Sequence, residues 1–328
     1  MLRPIMTHRG FVSLLTILGL GTVACGGSDR RAGGDDAPTA DSAAAMTPTG
    51  PTARPITTVE KLEAPESARW DPDQNVWFVA NINGNPSGKD NNGYISRLKP
   101  DGSVDSLKFI AGGRNKVMLN APKGMAIVGD TLWVADIDAV RGFNRKTGAL
   151  VANIRVPGAV FINDIAPGPD GLYATDTGVI YGPDGSTKHP GPDAIYRIAG
   201  RKASTAIKFD GQPGPNGITW DPNGERFIIA PFGDKAISSW VPGDSTARKI
   251  GEGPGMFDGV ESFGPDQFLI TSWADSSLSL LSEGKVSKLL GGIAGPADIG
   301  YDRQRGRVAI PQLTENKMVI VQVDAGQP

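Results

Sequence analysis

Cysteine is almost missing from this chain. Cys25 is the only one in 328 residues, which excludes an internal disulfide and any thiolate-bound metal centre. Histidine is as scarce, with His8 and His189 alone, so an imidazole-rich zinc site is excluded too. No sign of charge dominates: 33 Lys and Arg stand against 35 Asp and Glu, interspersed, for a net charge of −2. No basic stripe is left for a nucleic-acid partner. After residue 25 no run is long and apolar enough to enter a membrane. No 3.6-residue hydrophobic period is sustained either, so helix content is expected to be very low.

What the chain does have begins with a leader. Arg3, His8 and Arg9 precede an apolar run over 11–24 that ends Val23-Ala24-Cys25-Gly26. Residues 1–25 therefore read as a secretion signal. A small residue before Cys resembles a bacterial lipoprotein cleavage site, whose Cys is lipidated and becomes the new N-terminus; plain secretion is the alternative. Residues 26–55 are mostly Gly, Ala, Asp, Ser, Thr and Pro and read as a flexible tether. The rest, 56–325, is long enough for one large all-β domain. The expected place is the periplasm or cell surface, with the membrane touched only through a lipid on Cys25, and the expected state is a monomer.

The domain is organised around Pro215-Asn216-Gly217-Ile218-Thr219-Trp220-Asp221 followed by Phe227-Ile228-Ile229-Ala230. The first part alternates as a half-buried strand does, and the second is continuously apolar, as expected where both faces are covered. Asp221-Pro222-Asn223-Gly224 between them reads as a tight turn, with Gly224 expected at the positive-φ position. The phrase recurs with openings at Glu66, Lys123, Asn163, Asn216, Asp258 and Ala297, at steps of 57, 40, 53, 42 and 39 residues. With two further strand-like runs between copies, this predicts a six-bladed β-propeller of four strands per blade. The chain runs out one strand short in the last blade, and the spare segment 57–62 is expected to complete it and hide the edge.

The first strand of each blade lines a propeller's central channel, so the six opening residues are expected to converge near the axis. Four of them, Glu66, Asn163, Asn216 and Asp258, carry side-chain oxygens. Hard oxygen donors with two carboxylates suit Ca²⁺ or another divalent cation; the alternative is that they cap turns at the blade tops. Lys123 either points inward, where its charge opposes a cation, or turns to solvent. His189, in a Gly- and Pro-rich segment, reads as a surface residue.

The Asn163 and Asn216 phrases, the Asp258-Gly259 phrase and the Pro65-Glu66-x-x-x-Trp70-Asp71 context resemble the regucalcin/gluconolactonase family over about residues 57–323. That family, with the related diisopropylfluorophosphatases and paraoxonases, comprises six-bladed propellers with Ca²⁺ in the channel that hydrolyse lactones or organophosphates. The resemblance implies Glu66, Asn163, Asn216 and Asp258 as metal ligands and Asp258 also as general base. Asn120, Lys123 and Asp164 are the implied substrate-facing residues.

Two functions are therefore carried forward. One is an exported, calcium-dependent hydrolase of lactones or related esters, acting on a small molecule. The other is a non-catalytic propeller that binds a protein or glycan. The segments 81–93 and 181–193 are expected to shape whatever the channel mouth accepts.

Overall fold

A computed structural model describes residues 50–326. The leader, Cys25 and the tether up to residue 49 lie outside the described residues. The described chain is all-β; its only helix is a single 3₁₀ turn, Leu313–Glu315.

Six four-stranded antiparallel sheets follow one another. The first runs from the axis outward through Pro65–Asp71, Val76–Asn81, Tyr94–Leu98 and Val104–Ala111. The next four start from inner strands Pro122–Val128, Ile162–Gly168, Pro215–Asp221 and Phe257–Gly264. The outer strands of the fourth and fifth sheets also touch through one parallel bridge, Glu252 to Lys285. The sixth blade is drawn from both ends of the domain: Gly300–Asp302, Arg307–Gln312 and Lys317–Asp324, with Thr52–Val59 as its outermost strand.

The ring closes where the first and last inner strands meet. Asp298 donates its N–H to the Glu66 carbonyl at 2.9 Å, and Ala68 returns an N–H to the Asp298 carbonyl at 3.3 Å. Apolar clusters fill the spaces between blades, which explains why the second strands are apolar on both faces. Phe227, in the strand Arg226–Pro231, lies 4.6 Å from Tyr173 of the preceding blade and 4.8 Å from Trp220 of its own, centroid to centroid.

Two expectations need correction. The closing strand is Thr52–Val59, not 57–62, so the sheet takes in four residues assigned to the tether. As an outermost strand, 52–59 is partly solvated and needs no apolar pattern, and it tolerates Pro55, which sits at a register shift on the edge. The strand cannot reach residue 62 because Lys61 turns into the left-handed region (φ 65°). The other correction concerns the 221–224 turn, whose left-handed residue is Glu225 (φ 48°) rather than Gly224. Gly224 serves a different need: a Cβ there would lie 2.6 Å from Arg226 Nε and 2.8 Å from Asp221 Oδ2, in the space of that ion pair.

Candidate functional site

In five blades the ladder between the inner strand and its neighbour skips register beside the opening residue: Pro65/Ser67, Pro122/Met125, Ile162/Ile165, Pro215/Gly217 and Phe257/Val260. A bulge in the same place re-aims side chains that a regular pleat would alternate across the sheet. The groups it removes from the ladder find partners on the second strand. In the third blade the Asp164 N–H donates to Thr175 Oγ1 at 3.0 Å, and that hydroxyl is 2.5 Å from the carbonyl of Asn216, which opens the next blade. The fifth blade repeats this with Gly259 N–H, Thr271 Oγ1 and the Ala297 carbonyl, at 2.8 and 3.0 Å. Each threonine thus holds a bulge in shape and ties its blade to the next.

Close approach of the inner strands explains the glycines after the opening residues. A Cβ on Gly124 would fall 2.1 Å from Asp164 Oδ1, and one on Gly217 2.1 Å from the Asp258 carbonyl oxygen. Neither neighbour has room to retreat, so these positions admit no side chain.

The bulges deliver Glu66, Lys123, Asn163, Asn216 and Asp258 to one cavity of about 200 Å³. Each is at most 5% exposed. Glu66 Oε2, Asn163 Oδ1, Asn216 Oδ1 and Asp258 Oδ1 are all buried without a hydrogen-bond partner. Buried polar atoms are nearly always paired, so four orphaned oxygens around one cavity call for a ligand. Two of the four are held in place from the far side. Asn163 donates Nδ2–H to Thr177 Oγ1 at 2.9 Å, and Trp273 donates Nε1–H to Asp258 Oδ2 at 2.9 Å. Ala297 is buried, brings no polar side chain and is not part of the cavity lining.

The electrostatics point the same way. Burial, reinforced by the Asp258 charge, pushes the Glu66 carboxyl well above its usual range. Burial, with the Asp298 charge adding to it, does the same to Asp258. Two carboxylates buried in one cavity are costly to ionise unless a cation compensates them. The donor set, two carboxylates and two amide oxygens, fits a hard divalent cation such as Ca²⁺. Among the described residues no three His, Cys, Asp or Glu side chains form a metal-holding group, as expected when half the donors are amides.

Lys123 faces inward. It is 1% exposed, lines the cavity, and donates from Nζ to the Pro86 and Ala121 carbonyls at 3.0 Å each. Its Nζ sits 4.2 Å from the centroid of Phe161. Burial pulls its pKa down to about 8, against the upward pull of the Glu66, Asp136 and Asp176 carboxylates.

Asn120 and Asp164 are not part of the cavity lining. Asn120 accepts the Asn91 N–H at Oδ1 (3.1 Å), and its own backbone N–H is held by Asp136, so it braces a loop. Asp164 lies one residue deeper on its strand, where its oxygens accept the backbone N–H groups of Ile165 at 2.7 Å and Ile218 at 2.8 Å. It links the third blade to the fourth. Beside it Asp298, raised by burial to about 6, accepts from Ser67 Oγ at 2.6 Å, with the Arg69 guanidinium 3.8 Å away. A cavity of about 380 Å³ lies further along the same strands, but its cations Arg69 and Arg145 are already paired, with Glu261 and Asp71.

His189 is not a free surface group: its Nε2 is 2.7 Å from Asp193 Oδ2, and Asp193 Oδ1 accepts the Gly214 N–H at 2.6 Å. This pair fastens the segment carrying a short hairpin, Ile180–Tyr181 with Thr187–Lys188, which overhangs the mouth. Across the mouth, Tyr181 donates its N–H to Ser87 Oγ at 3.0 Å and Asn85 Nδ2 donates to the Gly182 carbonyl at 3.1 Å. The two segments expected to shape the mouth therefore bridge it together.

Several site residues escaped the sequence reading: Thr177, Phe232 and Trp273 line the cavity, together with Tyr181 from the expected mouth segment. Only Thr177 carried a faint signal, since it follows Ala174-Thr175-Asp176 at the end of a second strand.

No family model and no curated protein matches the sequence. Solved structures do match. One is a provisionally assigned gluconolactonase, with a TM-score of 0.61 and 16% identity over 85% of this chain and 94% of that one. Another is a gluconolactonase from Xanthomonas campestris described as important in glucose secondary metabolic pathways, with a TM-score of 0.59 and 15% identity over 84% and 97% of the two chains. At this identity the likeness establishes a shared fold.

Proposed function

We propose that this protein is a divalent-cation-dependent hydrolase of small lactones or related esters, exported and tethered by a lipid on Cys25. The observation that carries the proposal is the set of four unpartnered oxygens around one cavity. The similarity in fold to gluconolactonases supports it.

Glu66, Asn163, Asn216 and Asp258 would hold the ion, Ca²⁺ being the best match to their oxygens. Once bound, such an ion polarises an ester carbonyl and offsets the charge that develops on its oxygen. The chain supplies the rest. Trp273 fixes Asp258 through Oδ2, and this carboxylate would take the proton of an attacking water. Phe161, Phe232 and Trp273 line the cavity and limit the water that enters it. The carbonyl–oxygen bond of the ring then breaks, its oxygen takes the proton back from Asp258, and the lactone leaves as a hydroxy acid.

The test is a panel of lactones followed by acid release at constant pH, with and without EDTA. Hydrolysis that EDTA abolishes and added Ca²⁺ restores is the expected result. Calcium binding with no turnover of any lactone or ester would favour the binding-module alternative.

A further inference from the structure

The cavity contains three charged side chains among its described lining, Glu66, Asp258 and Lys123. Two carboxylates balance one divalent cation, so the loaded cavity would carry the surplus charge of Lys123. In the fold that charge meets the Phe161 ring at 4.2 Å and, from farther off, the carboxylates of Asp136 and Asp176. Among the described residues no carboxylate lies within ion-pair distance of Lys123, and its hydrogen bonds go only to the Pro86 and Ala121 carbonyls. An ammonium has three N–H donors, and these two acceptors leave one. Burying an unpaired charge is costly, and a protein that keeps one in its active cavity has reserved it for something that arrives.

The remaining wall narrows what arrives. Ile82, Pro86, Phe161, Phe232, Trp273 and Leu313 present carbon, and Tyr181 adds a single phenol hydroxyl. The Thr177 hydroxyl is already committed to Asn163 and to the Pro215 carbonyl, at 2.9 and 3.0 Å. A polyhydroxylated ring would leave most of its hydroxyls unpaired here, at a cost for each. At about 200 Å³ the space is also smaller than the range of roughly 300–1,000 Å³ usual for drug-sized ligands.

Resting on the lactonase reading, we infer that the substrate is a small, largely apolar lactone or ester bearing one carboxylate, and that Lys123 binds that carboxylate. Lys123 is then the specificity-determining residue of the site, and the sugar lactones in the names of the structural neighbours are not the preferred substrates.

The experiment compares a γ-lactone carrying a ring carboxylate with its neutral primary amide, in the wild type, Lys123→Met and Lys123→Arg. The wild type should favour the carboxylate in kcat/KM by roughly tenfold to a hundredfold, the range of a hydrogen bond to a charged group. Lys123→Met should bring the ratio near one, chiefly by raising KM for the carboxylate, and Lys123→Arg should keep much of the preference. An unchanged ratio in Lys123→Met, or a wild type that prefers the amide, overturns the inference. Binding separates its failure from that of the lactonase reading. Benzoate and benzamide are titrated calorimetrically into calcium-loaded protein. If no lactone is turned over but benzoate binds more tightly than benzamide only while Lys123 is present, the lactonase reading falls and Lys123 remains an anion site. Equal benzoate affinity in the wild type and Lys123→Met overturns the assignment of Lys123 whatever the activity.

Discussion

Replacing Asp258 by Asn should cost more than one charge, and the reason is Trp273. The indole nitrogen can only donate, and it donates to Asp258 Oδ2 at 2.9 Å. An amide introduced at 258 must turn its oxygen to the indole, because the opposite flip sets two donors against each other. Its NH₂ then points where the unpartnered Oδ1 stood, toward the other three oxygens. A ligand is thereby replaced by a donor that repels a cation. Glu66 has no such restraint: its orphaned Oε2 is held by no donor, so Glu66→Gln can rotate its amide to keep an oxygen inward. Losing one charged contact is worth about 1.5–3 kcal/mol, or ten- to hundredfold in calcium affinity, and this is the effect expected of Glu66→Gln. Asp258→Asn should lose at least tenfold more. At saturating Ca²⁺, Glu66→Gln should recover lactone hydrolysis to within about tenfold of wild type. Asp258→Asn should stay 10²–10⁴-fold slower, about the loss expected without a general base. In EDTA both variants should melt above the wild type, since each removes a carboxyl whose ionisation burial opposes. Calorimetric calcium titration, constant-pH kinetics and thermal melts give the three readings. Equal calcium loss in the two variants, or full recovery of Asp258→Asn at high calcium, would refute the reasoning.

Two more predictions follow from the structure and a third from the leader sequence. Glu66, Asp164, Asp258 and Asp298 all have pKa values raised by burial, Asp298 to about 6. An acid whose folded value lies above its unfolded one retains a proton in the folded chain that the unfolded chain has lost, so metal-free protein should lose stability as pH rises from about 4 through 6. Calcium needs the ionised form, so the gap in Tm between calcium and EDTA should widen over that range; a gap independent of pH would contradict this. Arg145→Met should destabilise the fold by about 3 kcal/mol in urea unfolding, because Asp71, fully buried and 2.6 Å from the guanidinium between the first two blades, would keep the donors of Asp73 and Gln74 but lose its cation; a loss under 1 kcal/mol would show that those neutral donors suffice. Cys25→Ser should move the protein from the detergent phase to the aqueous phase or leave the precursor uncleaved, and equal partitioning of both forms would show that Cys25 carries no lipid.

The sequence made the blade plan legible because each inner strand repeats a polar opening, a turn and an apolar run, and the repetition survives large spacing differences. It also pointed to Glu66, Asn163, Asn216 and Asp258, since residues opening equivalent strands must meet at a common axis. It missed what depends on contacts between blades. Thr175 and Thr271 look like ordinary strand residues until the bulges they brace are seen. Trp273 and Phe232 follow second strands in separate blades and meet only when the ring closes, with rings 5.8 Å apart. Asp164 was implied by the resemblance to face a ligand, yet the backbone N–H groups of Ile165 and Ile218 occupy its oxygens. The closing strand was placed five residues late because an outermost, partly solvated strand has the composition of a linker.

The most direct measurement is a crystal structure of the protein grown with millimolar CaCl₂. The account predicts a single strong peak in the cavity, with Glu66 Oε2, Asn163 Oδ1, Asn216 Oδ1 and an Asp258 oxygen at about 2.3–2.6 Å from it. Water alone among those four oxygens, or a Lys123 ammonium swung in to take the place of the ion, would contradict it.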